Sequence, residues 1–478
     1  MTRRTKIIAT IGPASLEPDT LRALINAGMD VARINMSHGP VEQHLETYAN
    51  LRAASEEVGR HIGILADLPG PKVRCAAFPD GGVVLEEGDS IQLTAGNSGS
   101  TAEMIEVNYD TLAVDIQSGD RLAFGDGQVV AVVEDKDDDV LKARVVFGGL
   151  LEGRKGLHIP SDRLRLTAPT PDDLRLLDAM VEVGIDMVAI SFVRSAHDIR
   201  RLGVEPSPRG PLVVAKIETR AAVENLDSII DASGAVMVAR GDLGAECPIE
   251  EIPHLQKEII EACIAHGRPA ITATQMLESM ISSPIPTRAE ASDVANAVFD
   301  GSSAVMLSGE TAVGRDPVNT LRTMARICER ADAEFDYDAW ADRIARLREA
   351  QKQHVSEGDR WTDSITHAAW QVALQLDAKA ILCLSRTGFT IRSVARFRPT
   401  TPILGFSPDD RTVNQLALSW GSTPIRSIDR TTPAEMIADA LRLARDKAGL
   451  RSGDPVIVIS GHSTQTRATD TLRMMRIP

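Results

Sequence analysis

Short, continuously apolar segments recur along the first two-thirds of the chain and alternate with segments of helical periodicity. Eight segments are of the apolar kind: KIIATIG (6–12), VARIN (31–35), IGILAD (62–67), MVAISF (187–192), LVVAKIE (212–218), AVMVAR (235–240), AITATQ (270–275) and AVMLSG (304–309). Continuous rather than alternating apolar residues are typical of parallel strands that are buried on both faces. Eight such units predict an α/β fold with a closed (β/α)8, or TIM, barrel.

One long insertion interrupts this pattern, because about 120 residues separate the third candidate strand from the fourth. Residues 71–161 are rich in valine, glycine and aspartate, alternate in polarity and contain tight-turn signals such as GDG (125–127). These features predict a small inserted β-barrel domain. Since Pro-Gly-Pro (69–71) joins it to the barrel, we expect it to move as a hinged lid.

The end of the chain has a third pattern. A charged helical stretch follows residue 330, and a polar linker is predicted at 354–361. Four further apolar segments then alternate with helices, which predicts an open C-terminal α/β domain. The predicted domains are the barrel (1–70 and 162–334), the lid (71–161) and a C-terminal regulatory domain (335–478).

Composition narrows the class of protein. The net charge is −15, from 52 basic and 67 acidic residues, which argues against a nucleic-acid or anionic-membrane surface. The chain contains no run of 18 apolar residues, so the sequence predicts no membrane span. The five cysteines are scattered and form no CxxC pair, which indicates reduced thiols and a cytoplasmic location.

Polar residues end seven of the eight barrel strands, at the edge where barrel enzymes place their active sites. These ends are Arg33-Ile-Asn35 with the following Ser37 and His38, Asp67, Ser191-Phe192, Lys216-Ile-Glu218, Arg240-Gly241-Asp242, Thr274-Gln275 and Ser308-Gly-Glu310. A two-residue spacing places Lys216 and Glu218 on one side of a strand. Glu218 and Asp242 suit Mg²⁺ or Mn²⁺, and cations beside them suit phosphoryl transfer.

Simpler roles are open for several of these residues. Ser37 fits a helix cap, as does Thr287 in the capping box Thr287-Arg-Ala-Glu290. His38 fits a structural role and Arg240 a partner for a nearby carboxylate. Thr274 ends a buried strand, where β-branched residues are common.

An ordered set of motifs carries a family resemblance over nearly the whole chain. The motifs are TKIIATIGPAS, GMDVARINMSHG, ADLPGPKVR, KIE, MVARGDLGAE, ATQMLESM, PTRAEASDVANAVFDG and MLSGETAVG. With them the chain resembles the pyruvate kinase family. The resemblance implies a glycolytic phosphotransferase that moves the phosphoryl group of phosphoenolpyruvate to ADP, giving pyruvate and ATP.

The resemblance also implies roles for individual residues. Lys216 would stabilise the moving phosphoryl group, Glu218 and Asp242 would bind Mg²⁺ or Mn²⁺, and Arg33 would contact substrate phosphate. Thr274 would belong to the route that protonates the enolate, through water and Ser308. The substrate carboxylate would lie at the backbone of Ala239, Arg240, Gly241 and Asp242, and the nucleotide would lie near Arg74, Lys155, Asn35 and His38.

One departure from the family concerns the monovalent cation. The positions that carry the family's potassium site are Asn35, Ser37, Asp67 and the backbone of Leu68. Potassium-dependent members have a glutamate where this chain has Lys72. We therefore expect Lys72 to substitute for potassium, so that the ion is not required.

The C-terminal domain holds a weaker candidate. Ser385, Arg386, Thr387, Gly388 and Thr390 lie between a strand and a helix, which fits either an anion pocket or an ordinary capping turn. The resemblance favours a phosphorylated effector, but the loop SGHSTQTRATDTL (460–472) lacks the family's usual Pro-Gly-Thr-Thr, so the existence of the effector is open. A homotetramer is expected from the resemblance alone.

Two other functions compete with this interpretation. KIETRAAVENLD followed by GDLG resembles metal-dependent aldolases that handle pyruvate enolate, although an aldolase needs no lid over ADP. A non-catalytic metabolite sensor is the other alternative. The presence of Lys216, Glu218, Asp242 and Thr274 argues against it.

Overall fold

The computed structural model describes residues 3–125, 127–351, 357–461 and 469–478. The chain begins with β1 (Lys6–Ile11), α1 (Pro18–Ala27), β2 (Val31–Asn35), α2 (Val41–Val58) and β3 (Gly63–Asp67). The inserted segment then forms β4 (Val83–Leu85), β5 (Ser90–Ala95), β6 (Met104–Val107), α3 (Leu112–Asp115), β7 (Arg121–Phe124), β8 (Val129–Asp137), β9 (Val140–Phe147), β10 (Gly149–Leu151) and β11 (Leu157–His158).

The chain then alternates again between helices and strands. These elements are α4 (Pro171–Glu182), β12 (Met187–Ile190), α5 (Ala196–Arg200), β13 (Leu212–Ile217), α6 (Arg220–Glu224), α7 (Leu226–Ala232), β14 (Ala235–Ala239), α8 (Arg240–Glu246), α9 (Ile252–Ala265), β15 (Ala270–Ala273), α10 (Arg288–Asp300), β16 (Ala304–Leu307), α11 (Gly309–Ala312) and α12 (Pro317–Ala333).

The last part of the chain forms the C-terminal domain. Its elements are α13 (Tyr337–Gln351), α14 (Glu357–Gln375), β17 (Ala380–Leu384), α15 (Phe389–Ala395), β18 (Ile403–Ser407), α16 (Asp410–Gln415), β19 (Ser422–Arg426), α17 (Pro433–Ala448), β20 (Pro455–Gly461) and β21 (Thr469–Arg476). The polar linker predicted at 354–361 is wrong from residue 357 onward, because α14 begins at Glu357. Its first residues lie outside the described ranges.

Eight parallel strands close into a barrel in the order β1-β16-β15-β14-β13-β12-β3-β2, which confirms the predicted fold. One set of buried apolar residues fills the barrel and includes Ile8, Leu65 and Met237. A larger set lies between the barrel and its helices. The strands are apolar on both faces because both faces are buried.

Six of the eight barrel strands end one or two residues earlier than the apolar pattern predicts, whereas β2 and β3 end at the predicted residues. Phe192, Thr274 and Gln275 have positive φ values of 55°, 67° and 53°, and this left-handed backbone cannot continue a strand. Arg240 instead begins α8. Several candidate site residues therefore lie just beyond a strand, where the chain turns over the barrel mouth.

The lid is a β domain with its own core, which runs from Val73 to Ile159. Its main sheet has the order β11-β7-β8-β9-β5-β6, and β4 pairs with β10 beside it. The two edges of the main sheet are joined by single bridges, from Arg74 to Gly156 and from Cys75 to Val107. The first hinge segment thus closes the lid sheet into a small barrel.

The C-terminal sheet has the order β19-β18-β17-β20-β21, with only β21 antiparallel among the described pairings. Hydrogen bonds tie this domain to the base of the barrel. Lys6 Nζ donates to Ser422 O at 2.8 Å, and Asn414 Nδ2 donates to Asp186 Oδ1 at 3.1 Å. Within the described ranges, no helix has the length and apolar character needed to traverse a bilayer.

Candidate active site

A buried carboxylate organises the cations at the barrel mouth. Asp67, at the end of β3, accepts a hydrogen bond of 2.7 Å from Arg33 Nε of β2 and lies 3.3 Å from Lys216 Nζ of β13. Burial alone would raise the pKa of Asp67, but Lys216 and Arg33 outweigh burial and hold that pKa below its usual value. Asp67 therefore remains ionised and fixes both cations.

The Lys216 ammonium has three partners. Besides Asp67, it lies 2.9 Å from Glu218 Oε1 and donates to Ser191 Oγ at 2.8 Å. Ser191 in turn donates to Leu68 O at 2.7 Å. Although burial alone would lower the pKa of Lys216, Asp67 and Glu218 raise it above its usual value. Lys216 is thus a charged, fully oriented group inside the barrel mouth.

Glu218 is fully buried beside this ammonium. Its Oε2 accepts a hydrogen bond of 2.6 Å from the amide of Phe192, a residue in the left-handed region with φ 55°. Its Oε1 faces Lys216 but lacks the alignment of a hydrogen bond. Burial raises the pKa of Glu218 above its usual value, and the negative charge of the nearby Asp242 raises it further. The positive charge of Lys216 offsets these two effects only in part.

These carboxylates fit a divalent cation. Among the described residues, no group of three or more His, Cys, Asp or Glu side chains could hold a metal ion alone. Mg²⁺ typically uses one or two carboxylates and completes its shell with water and substrate phosphates. Glu218 Oε1 is a buried oxygen without an aligned donor, and a cation between Glu218 and Asp242 would relieve their repulsion.

The end of β15 packs against the start of α8. Gly241 N donates to Thr274 Oγ1 at 3.0 Å, and Thr274 Oγ1 donates to Ala273 O at 2.7 Å. A β-branched residue at φ 67° is strained and is held there by its surroundings. The Arg240 side chain supports this turn, because Nη2 donates to Thr274 O at 2.7 Å and the guanidinium pairs with Asp293.

A cavity of about 220 Å³ separates the lid from the barrel mouth. The barrel lines it with His38, Phe192 and Asp242, and the lid hinge lines it with Lys72 and Arg74. Burial lowers the pKa of His38, and the charges of Arg74, Lys72 and Arg33 lower it further. The cavity is therefore a cationic space that opens onto one of the candidate metal ligands, and it suits a phosphorylated ligand.

The returning linker of the lid is fastened to the barrel at two points. Glu246, at the end of α8, accepts hydrogen bonds from Ser161 N at 2.8 Å and Ser161 Oγ at 2.9 Å. Arg194, which follows β12, donates to Leu164 O at 3.0 Å and Leu166 O at 3.1 Å. Both side chains line the cavity, so the lid is held against the site.

Comparison with known proteins agrees with this architecture. A family described as "Pyruvate kinase, barrel domain" matches residues 2–321, and one described as "Pyruvate kinase, alpha/beta domain" matches residues 363–475. The chain belongs to the pyruvate kinase family. Relatives named "Pyruvate kinase" include those of Corynebacterium glutamicum (40% identical; 96% of this chain and 94% of the relative), Mycobacterium tuberculosis (38%; 100% and 99%) and Thermococcus litoralis (37%; 99% and 99%).

These matches confirm the predicted family, its kinase activity and the class of phosphotransferase. Membership of the pyruvate kinase family implies dependence on a divalent cation. It also implies phosphoenolpyruvate and ADP as substrates and pyruvate as product.

The remaining candidate residues lie elsewhere around the barrel mouth and the lid. Asn35 Oδ1 accepts from Ser37 N at 3.3 Å in the turn after β2. The side chain of Lys155 lies beside Gly125: a Cβ atom built on that glycine would be 3.8 Å from Lys155 Cδ. Gly125 lines the cavity. The backbone amide of Ser308 donates a hydrogen bond of 2.6 Å to the side-chain carboxylate of Glu310. Lys72 is exposed on the hinge, whereas Asp67 is held by other cations.

The C-terminal candidates are held largely by other protein groups. Arg386 pairs with Asp429 at 2.5 Å, and Thr390 Oγ1 lies 2.7 Å from Thr469 Oγ1. Gly388 has φ 73° and precedes α15. Part of the loop at 460–472 lies outside the described residues. The start of α15 has no side-chain capping hydrogen bond, so neither the capping turn nor the effector is shown, and the effector stays a prediction.

Sequence reasoning missed three residues that shape the site: Arg194, Ser161 and Glu246. It placed Ser191 at the barrel mouth, as the end of a strand, but gave it no role. Glu246 lies one helical turn beyond Asp242, so helical periodicity could have placed both on one side of α8. The partners of Arg194 and Ser161 could not be found from spacing, because they lie 28 and 85 residues away.

Proposed function

We propose that the chain transfers the phosphoryl group of phosphoenolpyruvate to ADP at the barrel mouth, and that it divides into a barrel (1–70 and 162–334), a lid (71–161) and a regulatory domain (335–478). One observation carries the proposal. Lys216 is buried, protonated and held between Asp67 and Glu218, and the neighbouring Asp242 lines a cationic cavity. Phosphoryl transfer needs this arrangement, because charge accumulates on oxygens that must be kept from water.

Lys216 and Arg33 are the proposed phosphoryl contacts. Lys216 remains charged over the working pH range because its pKa is raised. Arg33 is oriented by Asp67 and by Thr10, to which its Nη1 donates at 3.0 Å. A guanidinium fixed in this way can bind phosphate oxygens without a further loss of side-chain entropy.

Glu218 and Asp242 are the proposed ligands of Mg²⁺ or Mn²⁺. When bound, the ion supplies positive charge to the phosphate oxygens of the two substrates. Glu218 is oriented by the Phe192 amide, and Asp242 is positioned in the first turn of α8. The chain thus contributes two carboxylates and leaves the remaining coordination positions to substrate and water.

Thr274 is the proposed member of the route that protonates the enolate, through water and Ser308. Its hydroxyl is fixed between Gly241 N and Ala273 O, and its strained backbone is the kind of feature that accompanies function. The backbone of Ala239, Arg240, Gly241 and Asp242 is the proposed seat of the substrate carboxylate.

The lid is proposed to cover the nucleotide, with Arg74, Lys155, Asn35 and His38 near its phosphates. Arg74 and His38 line the cavity beneath the lid. Closure would keep water from competing with ADP for the phosphoryl group.

Potassium independence is proposed for this chain. Lys72 lines the cavity and brings its positive charge near His38, while Arg33 and Lys216 already neutralise Asp67. We also propose a homotetramer, a cytoplasmic location consistent with five free cysteines, and a phosphorylated effector near Ser385, Arg386, Thr387, Gly388 and Thr390.

A single assay tests the activity. Purified chain is mixed with Mg²⁺, ADP and phosphoenolpyruvate, and pyruvate and ATP are measured together. We expect equal amounts of both products and no turnover after chelation of the metal. No turnover by a folded protein would favour the sensor, and pyruvate release or aldol chemistry without ATP would favour the aldolase.

A further inference from the structure

Glu246 joins three segments of the chain that meet beside the site. Its carboxylate accepts from Ser161 N and Oγ in the returning lid linker. It also accepts from Arg220 N at 3.2 Å, at the first residue of α6, which follows β13 after a two-residue connection. His158 Nε2 of the lid lies 2.9 Å from Glu246 Oε1, without the alignment of a hydrogen bond.

The carboxylate is ionised in this setting. Burial alone would raise the pKa of Glu246, but His158 and Ser161 outweigh burial and lower it. A buried anion that accepts several hydrogen bonds is held firmly, because leaving its donors unpaired is costly. Three of these contacts come from the lid and one from the barrel.

The Glu246 carboxylate is linked to both proposed metal ligands, to one along its own helix and to the other through a hydrogen bond to a nearby residue. Asp242 lies four residues earlier on α8, one helical turn away. Glu218 lies two residues before Arg220, whose amide Glu246 accepts. The position of Glu246 therefore affects both segments that carry the metal carboxylates.

We propose that Glu246 is a positioning residue that couples closure of the lid to the geometry of the metal site. This inference rests on the metal role proposed for Glu218 and Asp242. With the lid in place, Ser161 and His158 hold Glu246, and Glu246 holds α8 against the start of α6, just after β13. With the lid away, the carboxylate turns to water, and α8 loses its link to α6.

Coupling of this kind is reciprocal. If a closed lid increases the affinity of the site for a divalent cation, the cation must favour the closed lid by the same factor. A purely structural role for Glu246 predicts lower stability but no such reciprocity. The proposal can therefore be separated from simple destabilisation.

The first test measures Mn²⁺ binding to the full chain without substrates, by the electron paramagnetic resonance signal of free Mn²⁺. Replacing outer-shell partners of metal ligands typically weakens metal binding 10- to 100-fold. Glu246→Gln keeps the shape but cannot accept all of these bonds, and we expect about tenfold weaker binding. The exposed Glu250 of the same segment provides the matched control, Glu250→Gln, with unchanged binding.

The second test measures hydrogen exchange of a peptide that covers residues 157–166. In the wild-type chain, Mn²⁺ should slow exchange of the Ser161 amide, whereas in Glu246→Gln it should not. Ser161→Ala should weaken Mn²⁺ binding less than Glu246→Gln, and the double variant should be no worse than Glu246→Gln alone. This milder variant keeps the test open if Glu246→Gln does not fold.

Several results would overturn the proposal. They are unchanged Mn²⁺ affinity in Glu246→Gln, equal slowing by Mn²⁺ in both proteins, or additive losses in the double variant. Asp242→Asn separates this failure from failure of the proposed function. If Asp242→Asn leaves Mn²⁺ binding intact, the metal site itself is misassigned; if it abolishes binding while Glu246→Gln does not weaken it, only the coupling is wrong.

Discussion

Ser191→Ala is a sensitive perturbation of the proposed catalytic centre, because it removes one hydroxyl and changes no charge. Ser191 Oγ accepts from Lys216 Nζ at 2.8 Å and donates to Leu68 O at 2.7 Å. Its side chain is buried, so water does not easily replace the hydroxyl. The variant leaves one ammonium proton of Lys216 without its partner.

The size of the effect follows from the type of hydrogen bond. A hydrogen bond to a charged group contributes about 1.5–3 kcal/mol. If that orientation is needed in the transition state, kcat/KM should fall about 10- to 150-fold. Asp67 and Glu218 still hold the ammonium, so we expect the fall to lie toward the lower end of this range.

The assay is steady-state formation of pyruvate, with the KM for ADP and the thermal unfolding midpoint measured in parallel. We expect a lower kcat, an unchanged KM for ADP and a folded protein. The control is Ser195→Ala, four residues further on, at the N-terminus of α5; it should affect stability but not kcat. A Ser191→Ala variant that is folded and within twofold of the wild-type kcat/KM would refute the reasoning.

Three further predictions concern other parts of the molecule. Lys72→Glu should create potassium dependence, seen as a rise in activity of at least tenfold on adding K⁺, about 1.4 kcal/mol; the wild-type chain should rise less. Burial lowers the pKa of Lys6 from 10.5 to about 8, so the unfolded chain binds more protons between these values. The free energy of unfolding should therefore rise by up to about 3 kcal/mol as pH increases through that window, and Lys6→Met should lack this rise in denaturant titrations from pH 7 to 10.5. Arg194→Ala frees the carbonyls of linker residues 164–166, so trypsin should cut at Arg165 faster than in the wild-type chain, and an unchanged cleavage rate would contradict that role.

The barrel could be predicted from the sequence because its strands are continuously apolar and regularly interrupted. The same pattern set the ends of six strands one or two residues too late. At Phe192 and Thr274 the backbone adopts a positive φ, which the local sequence does not predict. Arg240 was likewise predicted to end a strand but begins α8, which the local sequence does not predict.

Part of the site was predictable for a simple geometric reason. Lys216 and Glu218 are two residues apart on one strand, and their charged atoms lie 2.9 Å apart. Ser191 and Lys216 are 25 residues apart, and Ser161 and Glu246 are 85 apart, so only the folded chain brings these pairs together. Sequence comparison drew attention to Lys72, but spacing alone could not show that it would be exposed.

The central claim is that the charged Lys216 ammonium stabilises the transferring phosphoryl group. The most direct measurement compares ATP formation from phosphoenolpyruvate and ADP by the wild-type chain and by Lys216→Gln, with the fold of each checked by circular dichroism. Removing one preorganised electrostatic donor typically costs about 10²- to 10³-fold in kcat, and we expect at least about a hundredfold loss here. A folded Lys216→Gln variant with kcat within tenfold of the wild-type value would contradict the claim.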